Sequence, residues 1–407
     1  MTTAPSHDAS VDPVDPPSRP SGPPVTLFLV TGALALSNGA VFALLADFQD
    51  RFGFPGWGLG LIAGAAFASG FAAQVGLAPL ADRGHAKQLL LAGLVTAATG
   101  TVLMGVGSHL WAFVAARVLT GIGYGMYIPA ARRAVIGVAG PNAGRMLGRL
   151  TSFSVGGFVL GPPLASVVAE QAGPRAPFLV LAAIVLVCIP GVVRAEVVES
   201  TRPERARPVG DLMRIPALQA AVAIGAAFYL AIGVFEAVWA RLLTDLGASQ
   251  TRIGLSLLAF GIPMALFAPV GGRLADRYGG FTTATVSMVV TVPLMVLYGQ
   301  VAAFWGLMAL VFVHAFADAT TSPGAQLAVS RAAPVEDTAA AQGILEAAGY
   351  LMAAFAAFGA APVYDQWGPE ILFAGAAALM VALLVVAQAR DRASRTLLGV
   401  SDDGSRR

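Results

Sequence analysis

The stretch GGRLADRYGG, residues 271–280, sets two arginines and an aspartate between two long apolar runs, and its centre occurs twice in the chain. Leu80-Ala81-Asp82-Arg83 matches Leu274-Ala275-Asp276-Arg277 at an offset of 194 residues. At the same offset, without a gap, Gly60-Leu61 falls on Gly254-Leu255 and Pro129 falls on Pro323. One register held over that length means that the second part of the chain repeats the first in the same orientation.

The solvent of this repeat follows from composition. Hydrophobic residues make up 57% of the chain and charged residues 12%, with a mean hydropathy of +0.73. Soluble domains carry roughly 25% charged residues, so this is a membrane protein. Apolar runs recur that are long enough, at ~1.5 Å per residue, to cross a ~30 Å hydrocarbon core. They are continuous rather than alternating, which selects helices over a β-barrel, because lipid offers no water to an open backbone. The expectation is an all-α membrane protein with 12 transmembrane helices in two parallel-repeat six-helix bundles. Residues 25–193 form the first bundle and 216–389 the second, joined by a polar, basic cytoplasmic linker at 194–215. Residues 1–24 are rich in proline and poor in bulky apolar side chains, and are expected to be a disordered cytoplasmic tail; 390–407 form a second tail. Three spans matter below: 110–131, 303–326 and 339–361.

Orientation follows from the placement of cations. Of the 25 Lys and Arg residues, Arg51, Arg175, Arg241 and Arg252 fall between spans on one side and Arg117 lies within a span, while all the others fall on the opposite side. Positive charge accumulates in cytoplasmic segments, so both termini are expected in the cytoplasm and the chain in the inner (cytoplasmic) membrane. Trp57, Trp111, Trp239, Trp305 and Trp367 all fall at the outer helix ends, where the headgroup layer suits amphipathic rings. The single cysteine, Cys188, allows no intramolecular disulfide and no multi-cysteine metal site.

Two parallel six-helix halves with G-x-L-A-D-R-x-G between the second and third helices of a half resemble the major facilitator superfamily of secondary transporters. Gly272, Leu274, Ala275, Asp276, Arg277 and Gly279 match in full. The first copy, around Asp82 and Arg83, departs from the pattern: Ala78 stands where glycine is expected and Gly84 comes one place early. An aspartate near a helix start is favoured by the helix dipole and can pair with an arginine across an interface, which would latch the cytoplasmic side in one state. Arg117 with Gly121, Gly123 and Gly125 is similar to the family's fourth-helix signature of proton-coupled members, with Asp47 as the expected partner of the buried arginine. Gly157, Gly161 and Pro162 resemble the antiporter signature of the fifth helix, although Ala165 and Ser166 replace its last two glycines. Small residues four apart permit tight helix contact, and the resemblance implies export.

The scarce ionisable residues of the second half are the expected proton carriers. His314 and Asp318 stand four apart on the tenth span and so share a face, and Glu346 lies a few residues into the eleventh. Counted from the span ends, Asp318 and Glu346 should lie at similar depth and face an aqueous cavity, because an unpaired charge in hydrocarbon is expensive. Packing through Thr320, Thr321 and Ser322 is the competing structural reading. Tyr124, Phe228 and Tyr229 are expected to line the substrate cavity, with Glu236 at its rim.

No Walker loop, nucleophile elbow or zinc-ligand cluster occurs, so neither an enzyme nor a self-contained ATP-driven pump is expected. No cofactor, metal or nucleic acid is implied; the partners expected are protons, a small-molecule substrate and the lipid bilayer, for a monomer. By resemblance to proton-coupled drug exporters, the expected function is efflux of lipophilic small molecules by alternating access. The alternative is a symporter or facilitator for a polar metabolite such as a sugar.

Overall fold

The computed structural model describes residues 25–53, 57–197, 207–248 and 250–397, with some side chains inside those ranges also left undescribed. The expected first tail, residues 198–206 of the linker and residues 398–407 therefore lie outside the described residues. The long helices are α1 (Val25–Phe52), α2 (Trp57–Leu77), α3 (Ala86–Val106), α4 (Leu110–Ala139), α5 (Ala143–Ala172) and α6 (Ala176–Arg194). After the short α7 (Val209–Leu212) come α8 (Pro216–Asp245), α9 (Gln250–Tyr278), α10 (Gly280–Gln300), α11 (Phe304–Ala332) and α12 (Thr338–Leu397). The last of these breaks at Gly368, whose φ of 79° is left-handed, and so supplies two spans. Among the described residues, six long helical segments thus stand on each side of α7, as the repeat requires.

Local chemistry sets where the helices begin. Pro177 and Pro216 occupy first-turn positions, where a missing N–H costs nothing. The His109 side chain accepts a hydrogen bond from the Ala112 N–H at 3.2 Å and caps α4. Both repeated loops turn on a glycine with positive φ, Gly84 at 84° and Gly279 at 91°. The displaced glycine of the first copy therefore performs the same turn as its counterpart, one residue earlier.

Within the first half, α4 is sandwiched between α2 and α3. Gly121 and Gly125 press on Ala66 and Gly70 of α2, and Gly123 presses on Gly93 and Ala97 of α3, so the fourth-helix glycines are contact surfaces on two opposite sides. Gly157 and Gly161 seat α5 against Gly32, Leu36 and Gly39 of α1. In the second half, α8 packs on α12 and α11 on α9 and α10.

The halves meet along two seams, α5 against α9 and α2 against α12. These are equivalent under the repeat: α9 corresponds to α2, and the first span of α12 to α5. The side of the bundle that carries Val25, Arg194 and Leu397 is called the tail side below. Here the seams are tightest. Gly144 faces Gly272 and Gly148 faces Ala268 backbone to backbone, while Gly343 lies on Ala78 and Gln74. Further from the tail side a cavity lies between the halves.

Candidate functional site

Between the halves lies a cavity of about 680 Å³, lined by residues of α1, α4, α5, α8, α9, α11 and α12. Its volume falls in the range of small-molecule sites. Most of the lining is apolar, with Ile128, Phe228, Ile232, Phe260 and Met264 among its residues. Ser166 and Leu255, near the helix ends remote from the tail side, lie at one end of the lining, and Arg132, Leu150, Gln326 and Glu346 form the floor at the other.

An ion pair across the halves forms that floor. Arg132 of α4 donates through Nη1 to Glu346 Oε1 of α12 at 2.7 Å, with the two side chains 11% and 6% exposed. Tyr229 of α8 donates its hydroxyl to the same oxygen at 2.9 Å. At the offset of 194, Arg132 falls on Gln326, and Gln326 in turn reaches Thr151 of α5 through Nε2 at 3.4 Å. Two polar links thus join the halves, one charged and one neutral, and the repeat relates their Arg132 and Gln326 ends.

Sequence reasoning missed Arg132. The span was expected to end at residue 131, which placed this arginine among topology-setting cations, whereas α4 continues to Ala139. The repeat offset, which relates Arg132 to the spanning Gln326, was the signal that could have found it.

Asp318 and His314 do not reach this cavity's lining. The expected equality of depth fails, because α11 runs on to Ala332 rather than ending at 326. Asp318 then lies ~21 Å from its tail-side helix end and Glu346 ~12 Å from its own, at 1.5 Å per residue. Polar residues tie the extra turns of α11 to α12: Gln342 donates to the Gln326 carbonyl at 2.8 Å and to Ser330 Oγ at 2.6 Å. His314 Nε2 stands 3.5 Å from Asp318 Oδ1, both side chains almost fully buried. Phe235, Phe260, Tyr298 and the paired acid enclose the imidazole inside the second bundle. Thr321 donates to Ser287 Oγ at 2.7 Å and Thr320 to the Ala317 carbonyl at 2.8 Å, the packing role that competed with the aqueous one.

Arg117 is 3% exposed and donates through Nη1 to Asn38 Oδ1 at 2.7 Å. The side chain of Asp47, the expected partner, lies outside the described residues. Tyr124, Phe228 and Tyr229 line the cavity, whereas Glu236 is exposed outside its lining. Pro162 lines the cavity too, while Gly157 and Gly161 bind α1 and so act within the first half rather than at the seam.

Both repeated aspartates close the tail side, chiefly by backbone contacts that stand beside the expected arginine pair. Asp82 accepts the backbone N–H groups of Ala339 and Ala340, at 2.9 and 2.7 Å, at the start of α12. Arg133 adds a third bond at 2.8 Å. Asp276 accepts the N–H groups of Gly144 and Arg145, at 2.7 and 2.8 Å, at the start of α5, with Arg331 at 3.9 Å. Each carboxylate therefore caps a helix of the other half, where unsatisfied N–H groups and the positive dipole end favour an anion. The arginines inside the motif play no part in an ion pair among the described residues: Arg83 is exposed and Arg277 stacks over the Tyr278 ring at 5.2 Å.

Comparison with known proteins bears on this architecture. The sequence model of the Major Facilitator Superfamily matches residues 27–236 and 221–399. The chain is 27% identical over 310 residues to the multidrug resistance protein MdtG of Citrobacter koseri, covering 71% of this chain and 76% of that protein. It is 26% identical to MdtG of Salmonella paratyphi A over the same coverage. Among solved structures, the human organic anion transporter MFSD10 superposes with a TM-score of 0.73 at 19% identity, over 90% of this chain and 98% of that one. The E. coli fucose:proton symporter FucP gives 0.72 at 17%, over the same shares. At such identities the structural likeness speaks for the fold alone. With the family's sequence model spanning both halves, the chain belongs to the Major Facilitator Superfamily and is a multi-pass membrane transporter rather than an enzyme.

Proposed function

We propose that this chain exports lipophilic small molecules in exchange for protons by alternating access, with Glu346 as the proton carrier. The observation that carries the reading is the Arg132–Glu346 pair, which closes a largely apolar cavity and joins one half to the other. A proton arriving through the open cavity cancels the charge on Glu346, and its attraction to Arg132 falls with it. One of the links that hold the halves together on the tail side is thereby weakened, and the bundles can rock about the seams. With the tail side cytoplasmic, the state described here faces outward. The opposite state would release the proton to the cytoplasm and admit the substrate. Asp82 and Asp276 then serve as the two cytoplasmic closures, and Asp318 with His314 as a structural pair of the second bundle.

The multidrug resistance relatives support a lipophilic substrate, as does a lining that offers apolar surface with few fixed polar contacts. The test is an inverted vesicle with an imposed inside-acid gradient, to which dyes, antibiotics and sugars are added in turn. Exchange predicts that a drug acidifies the external medium, and that Glu346→Gln abolishes the response. A response in Glu346→Gln equal to wild type would remove Glu346 from the mechanism. A sugar that alkalinises the medium would replace export by symport.

A further inference from the structure

We infer that Arg117 and Tyr124 form an anion subsite opening from the transport cavity, and that the substrates it selects are amphiphilic organic acids carrying a carboxylate. The inference rests on the cavity being the transport site and narrows the class of molecule it takes.

Arg117 sits on α4 in a crevice between α1, α3 and α4, lined also by Ser37, Asn38, Thr101, Thr120 and Tyr124. The crevice holds about 10 Å³, room for one oxygen-sized group. The guanidinium spends one N–H group on Asn38, its Nε has no partner, and no carboxylate pairs with it among the described residues. An arginine buried in this way is costly until an anion meets it.

The neighbouring hydroxyls cannot change that balance. Ser37 donates to the Ala33 carbonyl, Thr101 to that of Ala97 and Thr120 to that of Arg117, so their hydrogens are committed to the backbone. The Tyr124 hydroxyl, by contrast, is buried without a partner. Asn38 accepts from Arg117 through Oδ1, which leaves its NH2 group as a donor. The uncommitted groups are therefore donors beside a positive charge, and this is the chemistry of an anion site.

Continuity with the cavity decides what kind of anion. Asn38 and Tyr124 line both the crevice and the large cavity, so an oxygen held against Arg117 can belong to a molecule whose apolar body fills the cavity. The one carboxylate lining that cavity among the described residues, Glu346, is already engaged by Arg132 and Tyr229. Its charge is matched within the floor, and among the described residues nearby the charge left without a counter-ion is that of Arg117.

The experiment uses the purified full-length protein in detergent and three probes of one shape: naphthalene-1-acetate, 2-(naphthalen-1-yl)ethanol and 2-(naphthalen-1-yl)ethylamine. Affinities are measured by calorimetry in chloride and again in sulfate. The acetate is expected to bind at least ~10-fold more tightly than the alcohol or the amine, about one charge-assisted hydrogen bond. Arg117→Gln should erase this preference while leaving the alcohol's affinity within about twofold, and Arg117→Lys should restore part of it. Tyr124→Phe, which keeps the ring and removes one donor, should reduce the preference several-fold and serves if Arg117→Gln does not fold. Equal affinities of the three probes in wild type would overturn the proposal, as would a preference that survives both Arg117→Gln and Tyr124→Phe. Stabilisation by chloride alone, with no carboxylate preference in either buffer, would assign the crevice to a free halide and overturn it as well. Binding is read without flux, so a loss of proton exchange in vesicles with the carboxylate preference intact would refute the transport reading and not this one.

Discussion

Replacing Asp82 by Asn should open the tail side, and the size of the effect follows from what the carboxylate holds. It accepts two backbone N–H groups of α12 and the Arg133 guanidinium, all within 2.9 Å, and it is 1% exposed. An amide of the same shape keeps one acceptor oxygen, turns an NH2 group towards donors and loses the charge that the helix start favours. A hydrogen bond to a charged group contributes about 1.5–3 kcal/mol, and the substitution removes at least one such bond, so ~2–3 kcal/mol of closure should be lost. That corresponds to a roughly 30- to 150-fold rise in the ratio of tail-open to tail-closed molecules. Asp276→Asn should do less, because its side chain is 14% exposed and Arg331 stands at 3.9 Å. The two carboxylates act on separate seams, so the double variant should approach the product of the single effects. The assay is a distance measurement between nitroxides at His85→Cys and Tyr278→Cys in a Cys188→Ser background, two exposed tail-side positions in opposite halves. A longer-distance population should grow in the order Asp276→Asn, Asp82→Asn, double variant. An unchanged distribution in the double variant would refute the capping account.

Two further outcomes test the seams and the second bundle. Gly144→Ala or Gly272→Ala should hinder tail closure by about 1–3 kcal/mol, because each added methyl would enter the facing backbone; the same spin-label distances check it, and closure equal to wild type would show that the seam can yield. Asp318→Asn should leave drug-induced proton release in place, since this residue stays out of the cavity lining, while Asp318→Ala should lower the thermal midpoint in detergent by leaving His314 without its buried neighbour. Loss of proton release in Asp318→Asn at unchanged stability would return Asp318 to the proton path.

Much of the fold was legible because it rests on local or strictly periodic signals. Apolar runs of membrane-crossing length announce helices wherever they occur, and the repeat at 194 residues related one half to the other. Motif glycines were also legible as contact points, since a missing side chain invites a neighbour: Gly121, Gly123 and Gly125 do seat α2 and α3. Polar partners were harder. The sequence pointed Asp82 and Asp276 at arginines, yet their main partners are backbone N–H groups. Every helix start offers such groups, so no residue type marks them.

The sequence by itself determined that this chain spans a membrane in two similar halves, because hydropathy and periodicity are properties of neighbouring residues. Only the tertiary structure decided which charged groups meet. Arg132 and Glu346 are 214 residues apart and come together at 2.7 Å because α4 and α12 border one cavity. Counting along a helix gives depth within the bundle, and a helix that runs a few residues past its expected end shifts even that. The direction a side chain takes around the helix depends on which helices pack beside it. For that reason Glu346 faces the cavity, while Asp318, of the same chemical class, turns into the second bundle.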